Sequence, residues 1–275
     1  MLKREDYLEH AEWLLNEGDP ERASEVCRRG LRRFPTDHEL WCLLGDSLVE
    51  SGHYPEADRA LRTASQLNKE WADPLAKRTE VLLMLGKVKR ARTVCEDAFA
   101  RDPNSALTSF MRGVLLDVTG QNEVARFFYR RAHKLDPTLY RKPITVSSEA
   151  FAEAVKSAVE IVSSTTGESR FVGCEWEVLE TFDFNNPLLA GHAPLFGCYL
   201  ITNKPEDLTQ PPSRRRVPAR AKGRQPVKKA FIVKSNVLRN VDPDVSVNTH
   251  IMGAVSDAIE DLFGTEQPDL DDFLF

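Results

Sequence analysis

WCLLGDSLVESG, residues Trp41 to Gly52, is the stretch that decides the fold of the first half of this chain, because its closing glycine recurs. Gly18, Gly52, Gly86 and Gly120 stand 34 residues apart, and Ala23, Ala57, Ala91 and Ala125 follow them at the same interval. Gly30, Ala64, Ala98 and Ala132 form a third column, and Pro35, Pro103 and Pro137 a fourth that is broken only by Lys69. Each column has a physical role. The first glycine ends a helix where left-handed backbone is needed. The small residues let two helices approach closely, and the proline stops the second helix by driving the residue before it out of the α region. Tyr7, Trp41 and Leu75 open the first helix of a unit, and Leu14, Leu48, Leu82 and Leu116 lie two turns along its packing face. A period of this length is one helix-turn-helix unit whose apolar face stays uncovered until a neighbour stacks on it. The expected architecture is therefore a superhelix with a concave groove, and such grooves bind chains rather than transform small molecules.

Trp41–Gly52 resembles a tetratricopeptide repeat most closely. The resemblance runs over roughly residues 4 to 137 and implies four repeats at about 4–37, 38–71, 72–105 and 106–139, within an array spanning 1–140. Arg78 and Thr79 replace the usual Leu-Gly pair in the third repeat, and Ser109 replaces the aromatic of the fourth.

At 275 residues the chain has room for this array and one further domain, and 41% hydrophobic with 29% charged residues is ordinary for a globular protein. The opening MLKREDYLEHAEWLL is charged from its third residue and lacks the apolar run of a secretory signal, so a cytoplasmic location is expected. Five cysteines, an odd number without a C-x-x-C pair, read as small buried hydrophobes in a reducing compartment. The net charge of −5 hides a sharper pattern. A Pro-rich loop at 209–229 carries Arg214, Arg215, Arg216, Arg220, Lys222, Arg224, Lys228 and Lys229 with no acid among them. From Asp257 onward the balance inverts, with an acidic tail at 265–275 and no basic residue.

In the array, the positions expected to face the groove are Glu5, Leu8 and Glu12, then Glu39, Cys42 and Asp46, then Asp73, Ala76 and Glu80. The stripe is acidic. Tetratricopeptide proteins that hold a C-terminal carboxylate do so with Lys and Asn at such positions, so that clamp is not expected here. A row of carboxylates in a concave surface focuses negative potential and suits a basic or extended ligand; the plain alternative is a solvated face. The chain's own Arg-rich loop is one candidate ligand, which implies an intramolecular contact with the groove or the acidic tail.

Beyond the array, within 141–275, the period disappears. SSEAFAEAVKSAVEIVSS reads as an amphipathic helix capped by Ser147 or Ser148, with Phe151, Ala154, Val155, Ala158, Val159 and Val162 on one face. FVGCEWEVLE, LFGCYLI and AFIVKSNVL read as strands, and a last helix runs from about Val245 to Phe263. This order makes an α+β unit. It resembles the minimal zincin-like metallopeptidases of bacteria in its element order, in the string PLFGCYL from Pro194 to Leu200, and in the closing Phe263-Gly264. The resemblance implies a peptidase scaffold and a bacterial source. Aligned on that family's His-Glu-x-x-His motif, Asp257 and Asp261 stand where the zinc-binding histidines belong and Ala258 where the general base belongs. Two imidazoles one turn apart and a carboxylate are what that chemistry needs, and Ala258 can take no proton. The resemblance thus implies a pseudoenzyme with no catalytic residue, no metal and no cofactor.

Two short features remain. The ending QPDLDDFLF sets Leu270, Phe273, Leu274 and Phe275 among acids, either as cover for the domain's own core or as a short anchor for a partner's groove. The Arg-rich loop has no interleaved aromatic residue to stack bases, which places nucleic acid behind a protein partner. The sequence therefore reads as a four-repeat α-helical tetratricopeptide superhelix followed by a small α+β zincin-like domain, acting as a non-catalytic adaptor or regulatory subunit in a larger complex without a membrane. A metal-dependent peptidase completed by a partner and a nucleic-acid-associated factor stay open.

Overall fold

The computed structural model describes residues 3–165, 174–189, 192–202, 227–239, 241–242 and 244–263. The chain divides into two compact units, Met1–Leu116 with Phe127–Asp136 and Asp117–Arg126 with Pro137–Phe275.

The first half is helical throughout, in the order α1 (Arg4–Asn16), α2 (Pro20–Arg33), α3 (His38–Glu50), α4 (Tyr54–Leu67), α5 (Asp73–Met84), α6 (Val88–Arg101), α7 (Ala106–Val118) and α8 (Asn122–Leu135). The glycine that ends each odd-numbered helix takes a positive φ, 73° at Gly18, 71° at Gly52, 68° at Gly86 and 79° at Gly120. After α3 the Gly52 N–H donates to the Val49 carbonyl at 2.9 Å and the His53 N–H to the Leu48 carbonyl at 2.7 Å, the paired bonds that satisfy a helix's last carbonyls. Prolines follow α2, α6 and α8 two residues after the helix ends, and Asn68-Lys69 ends α4 without one. The starts of α2 and α3 are capped by side chains: Asp19 accepts from the Arg22 N–H at 3.2 Å and Asp37 from the Leu40 N–H at 2.9 Å.

The packing between helices of a pair follows a size exchange that the spacing alone does not display. A Cβ on Gly45 would sit 2.6 Å from Leu61, and one on Gly113 would sit 2.6 Å from the Tyr129 ring. The same two columns hold Ala11 with Cys27 in the first pair and Thr79 with Cys95 in the third, all four buried. A large residue on the second helix thus goes with glycine on the first, and a small one with alanine or threonine. The Thr79 hydroxyl donates to its own helix at the Leu75 carbonyl, 3.0 Å away. Its neighbour Arg78 is equally ordered, donating to Asp58 on α4 at 2.6 Å while Arg90 lies 3.7 Å from the same carboxylate. The two departures in the third repeat therefore each have a place of their own: Thr79 fills space opposite Cys95, and Arg78 ties α5 to α4.

The second unit is built from α9 (Ser148–Thr165), β1 (Glu175–Leu179), a 3-10 turn at Pro187–Leu189, β2 (Cys198–Thr202), β3 (Val227–Val233), α10 (Lys234–Val237) and α11 (Val247–Phe263). Ser147 caps α9, its hydroxyl accepting from the Ala150 N–H at 3.1 Å. The strands form one sheet in the order β1-β3-β2, with β1 parallel and β2 antiparallel to β3. Ala230, Phe231, Ile232 and Val233 are fully buried because β3 is central. One face packs Cys198, Leu200, Ala230 and Ile232 against Phe151, Val155 and Ala158 of α9 and Ile251 and Val255 of α11. The other packs Phe231 and Val233 with Phe182, Leu189, Tyr199 and Ile201. The buried Tyr199 hydroxyl donates to the Ala193 carbonyl at 2.7 Å and accepts from the Phe196 N–H at 3.1 Å.

Two expectations are corrected here. AFIVKSNVL is not one strand, because β3 starts at Val227 and the chain turns helical at Lys234. Lys228 and Lys229 accordingly belong to β3 and not to the basic loop. Lys229 is aligned with Glu175 on β1 and its ammonium lies 2.7 Å from Glu177. Arg214, Arg215, Arg216, Arg220, Lys222 and Arg224 lie outside the described residues, as do Leu270, Phe273, Leu274 and Phe275.

Candidate functional site

In the first unit a cavity of about 640 Å³ opens where the first helices of three successive pairs meet. Its wall is formed by Leu8 and Glu12 of α1, His38, Glu39, Cys42, Leu43 and Asp46 of α3, Lys77 of α5, and Asn68, Glu70 and Trp71 from the segment between α4 and α5. Leu8, Glu12, Glu39, Cys42 and Asp46, assigned to the groove from the repeat register, are thus brought together. Glu5, Asp73 and Glu80 are not on this wall; Glu5 is exposed beside Arg4 at 3.7 Å, and Asp73 and Glu80 are half-buried on α5. Ala76 is fully buried in the packing.

Two basic residues hold acids of this region. Lys77 donates to Asp46 at 2.6 Å, and Arg4 bridges Asp37 and Glu39, the latter at 2.5 Å. Burial pushes the Asp46 carboxyl above its ordinary value; Lys77 opposes this, while Glu50 and Asp73 add to it. Burial acts to lower the Lys77 ammonium, but Asp46, Cys42 and Asp73 outweigh it and raise the group above its usual value. The Cys42 thiol is pushed up to about 12 by burial, so it lines the wall as an inert apolar group and not as a nucleophile. Trp71 stands edge-on to His38 with ring centroids 5.3 Å apart. Trp71, Glu70, Asn68 and Lys77 escape a register-based reading. Three lie in the connecting segment, outside the helical period, and the fourth sits one residue beyond the expected Ala76.

The second unit contains a compact polar cluster whose members are far apart in sequence. Ser148 donates to Glu180 at 2.5 Å, and the buried Lys234 donates to Ser148 at 3.3 Å and to Glu180 at 3.2 Å. Burial would raise the Glu180 carboxyl, but the bonds from Ser148 and Lys234 bring it below its ordinary value. An ammonium committed to a carboxylate is no general base for the serine beside it, so the cluster ties α9 to the ends of β1 and β3. At the positions aligned with the zinc motif, Asp257 is exposed on α11 and Ala258 packs at the edge of the core, while the Asp261 side chain lies outside the described residues. His250 is engaged with the Asp242 carbonyl at 3.2 Å, and the His192 ring stands 5.6 Å from that of Tyr199. Among the described residues, no group of three or more His, Cys, Asp or Glu is placed to hold a metal ion, and no helix is long and apolar enough to cross a membrane.

Helix pairs repeated in tandem and closed by left-handed glycines define a helical-repeat array of tetratricopeptide type. Residues 4–47 match the family model of the tetratricopeptide repeat. Tetratricopeptide repeat protein 21B of Xenopus laevis is 31% identical over 114 residues, which cover 40% of this chain and 8% of that protein. The chain thus spans less than a tenth of this relative's length. Among solved structures, a thermophilic TPR protein of Thermus thermophilus, TTC0263, is similar at 18% identity and a TM-score of 0.47, over 60% of this chain and 84% of that one. The Cut9-Hcn1 hetero-tetramer of the APC/C is similar at 18% identity and a TM-score of 0.47, over 50% of this chain and 26% of that one. MamA from Desulfovibrio magneticus RS-1 is similar at 22% identity and a TM-score of 0.41, over 58% of this chain and 85% of that one. Tetratricopeptide arrays generally mediate protein–protein interactions.

Proposed function

We propose that this chain is a non-catalytic adaptor or regulatory subunit that binds a protein partner through the cavity-bearing face of its helical array. The observation that carries the reading is the cavity itself, to which three successive repeats each contribute side chains. A site shared among repeats suits an extended segment, because each repeat offers its own short row of contacts along the ligand. The C-terminal unit acts as a second docking surface on a peptidase-type scaffold. What supports this is its order of helix, three strands and helix, and Ala258 where a general base would stand. The five cysteines are free thiols, which fits residence in the reducing cytoplasm.

Affinity purification from the native host, run in parallel with the intact chain and with Glu12→Lys/Asp46→Lys, tests the reading. A partner recovered by the first and lost by the second, at unchanged helical content, is the expected result. Retention of the partner by the variant removes the groove from the proposal. Stoichiometric, tightly held zinc in the purified chain overturns the non-catalytic assignment.

A further inference from the structure

Resting on the adaptor reading, we infer that the cavity receives the lysine or arginine side chain of an extended basic segment of the partner. The wall carries four carboxylates, Glu12, Glu39, Asp46 and Glu70, against the single ammonium of Lys77. Glu39 and Asp46 already have cationic partners, Arg4 and Lys77. Glu12 and Glu70 have no ion pair with any described residue, so an incoming cation meets these two first. A cavity of about 640 Å³ has room for a long side chain together with the backbone on either side of it. Its remaining surfaces suit the same guest: Leu8 and Leu43 line the space beside the aliphatic stem of a lysine or arginine, and the half-buried Trp71 supplies an aromatic ring of the kind that attracts a cation.

The charge balance reinforces this geometry. Burial is the main reason that the Asp46 carboxyl is raised, with Glu50 and Asp73 adding to it, whereas the Lys77 ammonium is raised against burial by Asp46, Cys42 and Asp73, so the acids around this wall favour a cation. An acidic segment would face four carboxylates across a partly desolvated wall, where repulsion is less screened than in water. The selection is therefore by charge sign first and by the length of the side chain second.

The test uses the full chain and three 12-residue peptides of Gly and Ser, carrying three Arg, three Glu, or neither. Binding is read by isothermal titration, and by the change in tryptophan fluorescence with Trp71→Phe as the control for its origin. The Arg peptide is expected to bind, with an affinity that falls as salt rises, and the other two are not. Glu12→Gln/Glu70→Gln, which alters two exposed side chains, is expected to weaken the Arg peptide by roughly five- to ten-fold without changing the thermal midpoint. Equal binding of the Glu or the uncharged peptide overturns the basic specificity and leaves the adaptor reading standing. Arg-peptide binding that is unchanged in the double variant overturns the cavity as the seat of that specificity. Failure of all three peptides overturns the inference, and the adaptor reading is then decided separately by retention or loss of the native partner on Glu12→Lys/Asp46→Lys.

Discussion

The helical array and the sheet-bearing unit are stabilised by contacts of opposite range. In the array nearly every decisive contact joins residues close in sequence or one repeat away: Gly45 with Leu61, Arg78 with Asp58, Lys77 with Asp46, Arg4 with Glu39. In the second unit β1 lies beside β3 across some fifty residues, and Lys234 reaches back to Ser148 over 86 positions. A repeat array spreads its stability over many equivalent interfaces, so an odd residue in one repeat is absorbed by its neighbour. A three-stranded sheet depends on its central strand, because both faces and both edges of that strand are committed.

That contrast is open to test. The largest effect is expected at the centre of the sheet, where Phe231→Ala empties a fully buried aromatic site and should cost about 3–5 kcal/mol. Hydrogen exchange at residues 227–233 measures it, and protection that survives the change would show that β3 is not the element on which the unit depends. Next is Arg78→Met, which strands Asp58 between a lost partner and the more distant Arg90; a loss of roughly 2–4 kcal/mol is expected in urea unfolding. The paired change Asp58→Leu/Arg78→Met should recover most of it, since no charge is then left unpaired. No recovery would mean that Arg78 acts by packing and not by charge.

A third experiment addresses the size exchange directly. Cys95→Leu alone should overpack against Thr79 at a cost of about 1–3 kcal/mol, and adding Thr79→Gly should restore stability by recreating the Gly45–Leu61 arrangement. Strict additivity of the two changes would contradict the exchange. The smallest effect is Gly52→Ala: nothing lies within 4 Å of the added methyl, so only the left-handed backbone is penalised, by about 1 kcal/mol in thermal unfolding. A similar loss at Gly45→Ala would need a different explanation, because there the methyl meets Leu61 at 2.6 Å.

These cases show which parts of the molecule were legible in the chain. The four glycines, the prolines and the caps are local devices: a positive φ or a missing N–H acts on its own residue, so its position in the sequence is its position in the fold. The register also placed Leu8, Glu12, Glu39, Cys42 and Asp46 on one wall, because residues 34 apart occupy equivalent sites on stacked helices. Trp71 and Glu70 could not be found that way, since the α4–α5 connection has no period. Lys77 lies off the repeat register, because a single-residue shift along a helix turns a side chain by about 100°.

In the second unit the apolar runs were visible, but AFIVKSNVL read as one strand because its hydrophobicity continues where its conformation changes. At the break the Lys234 ammonium bonds Ser148 and Glu180, which are remote in sequence. Lys229 read as part of a basic loop until β1 supplied Glu177 beside it. The sequence by itself therefore determined the helix-turn-helix repeat unit and the left-handed glycines that close its first helices, because both follow from short-range sterics. Only the tertiary structure decided which strands pair, why Arg78 and Thr79 are tolerated, and which carboxylates on the cavity wall already have partners, because those depend on contacts for which no local rule exists.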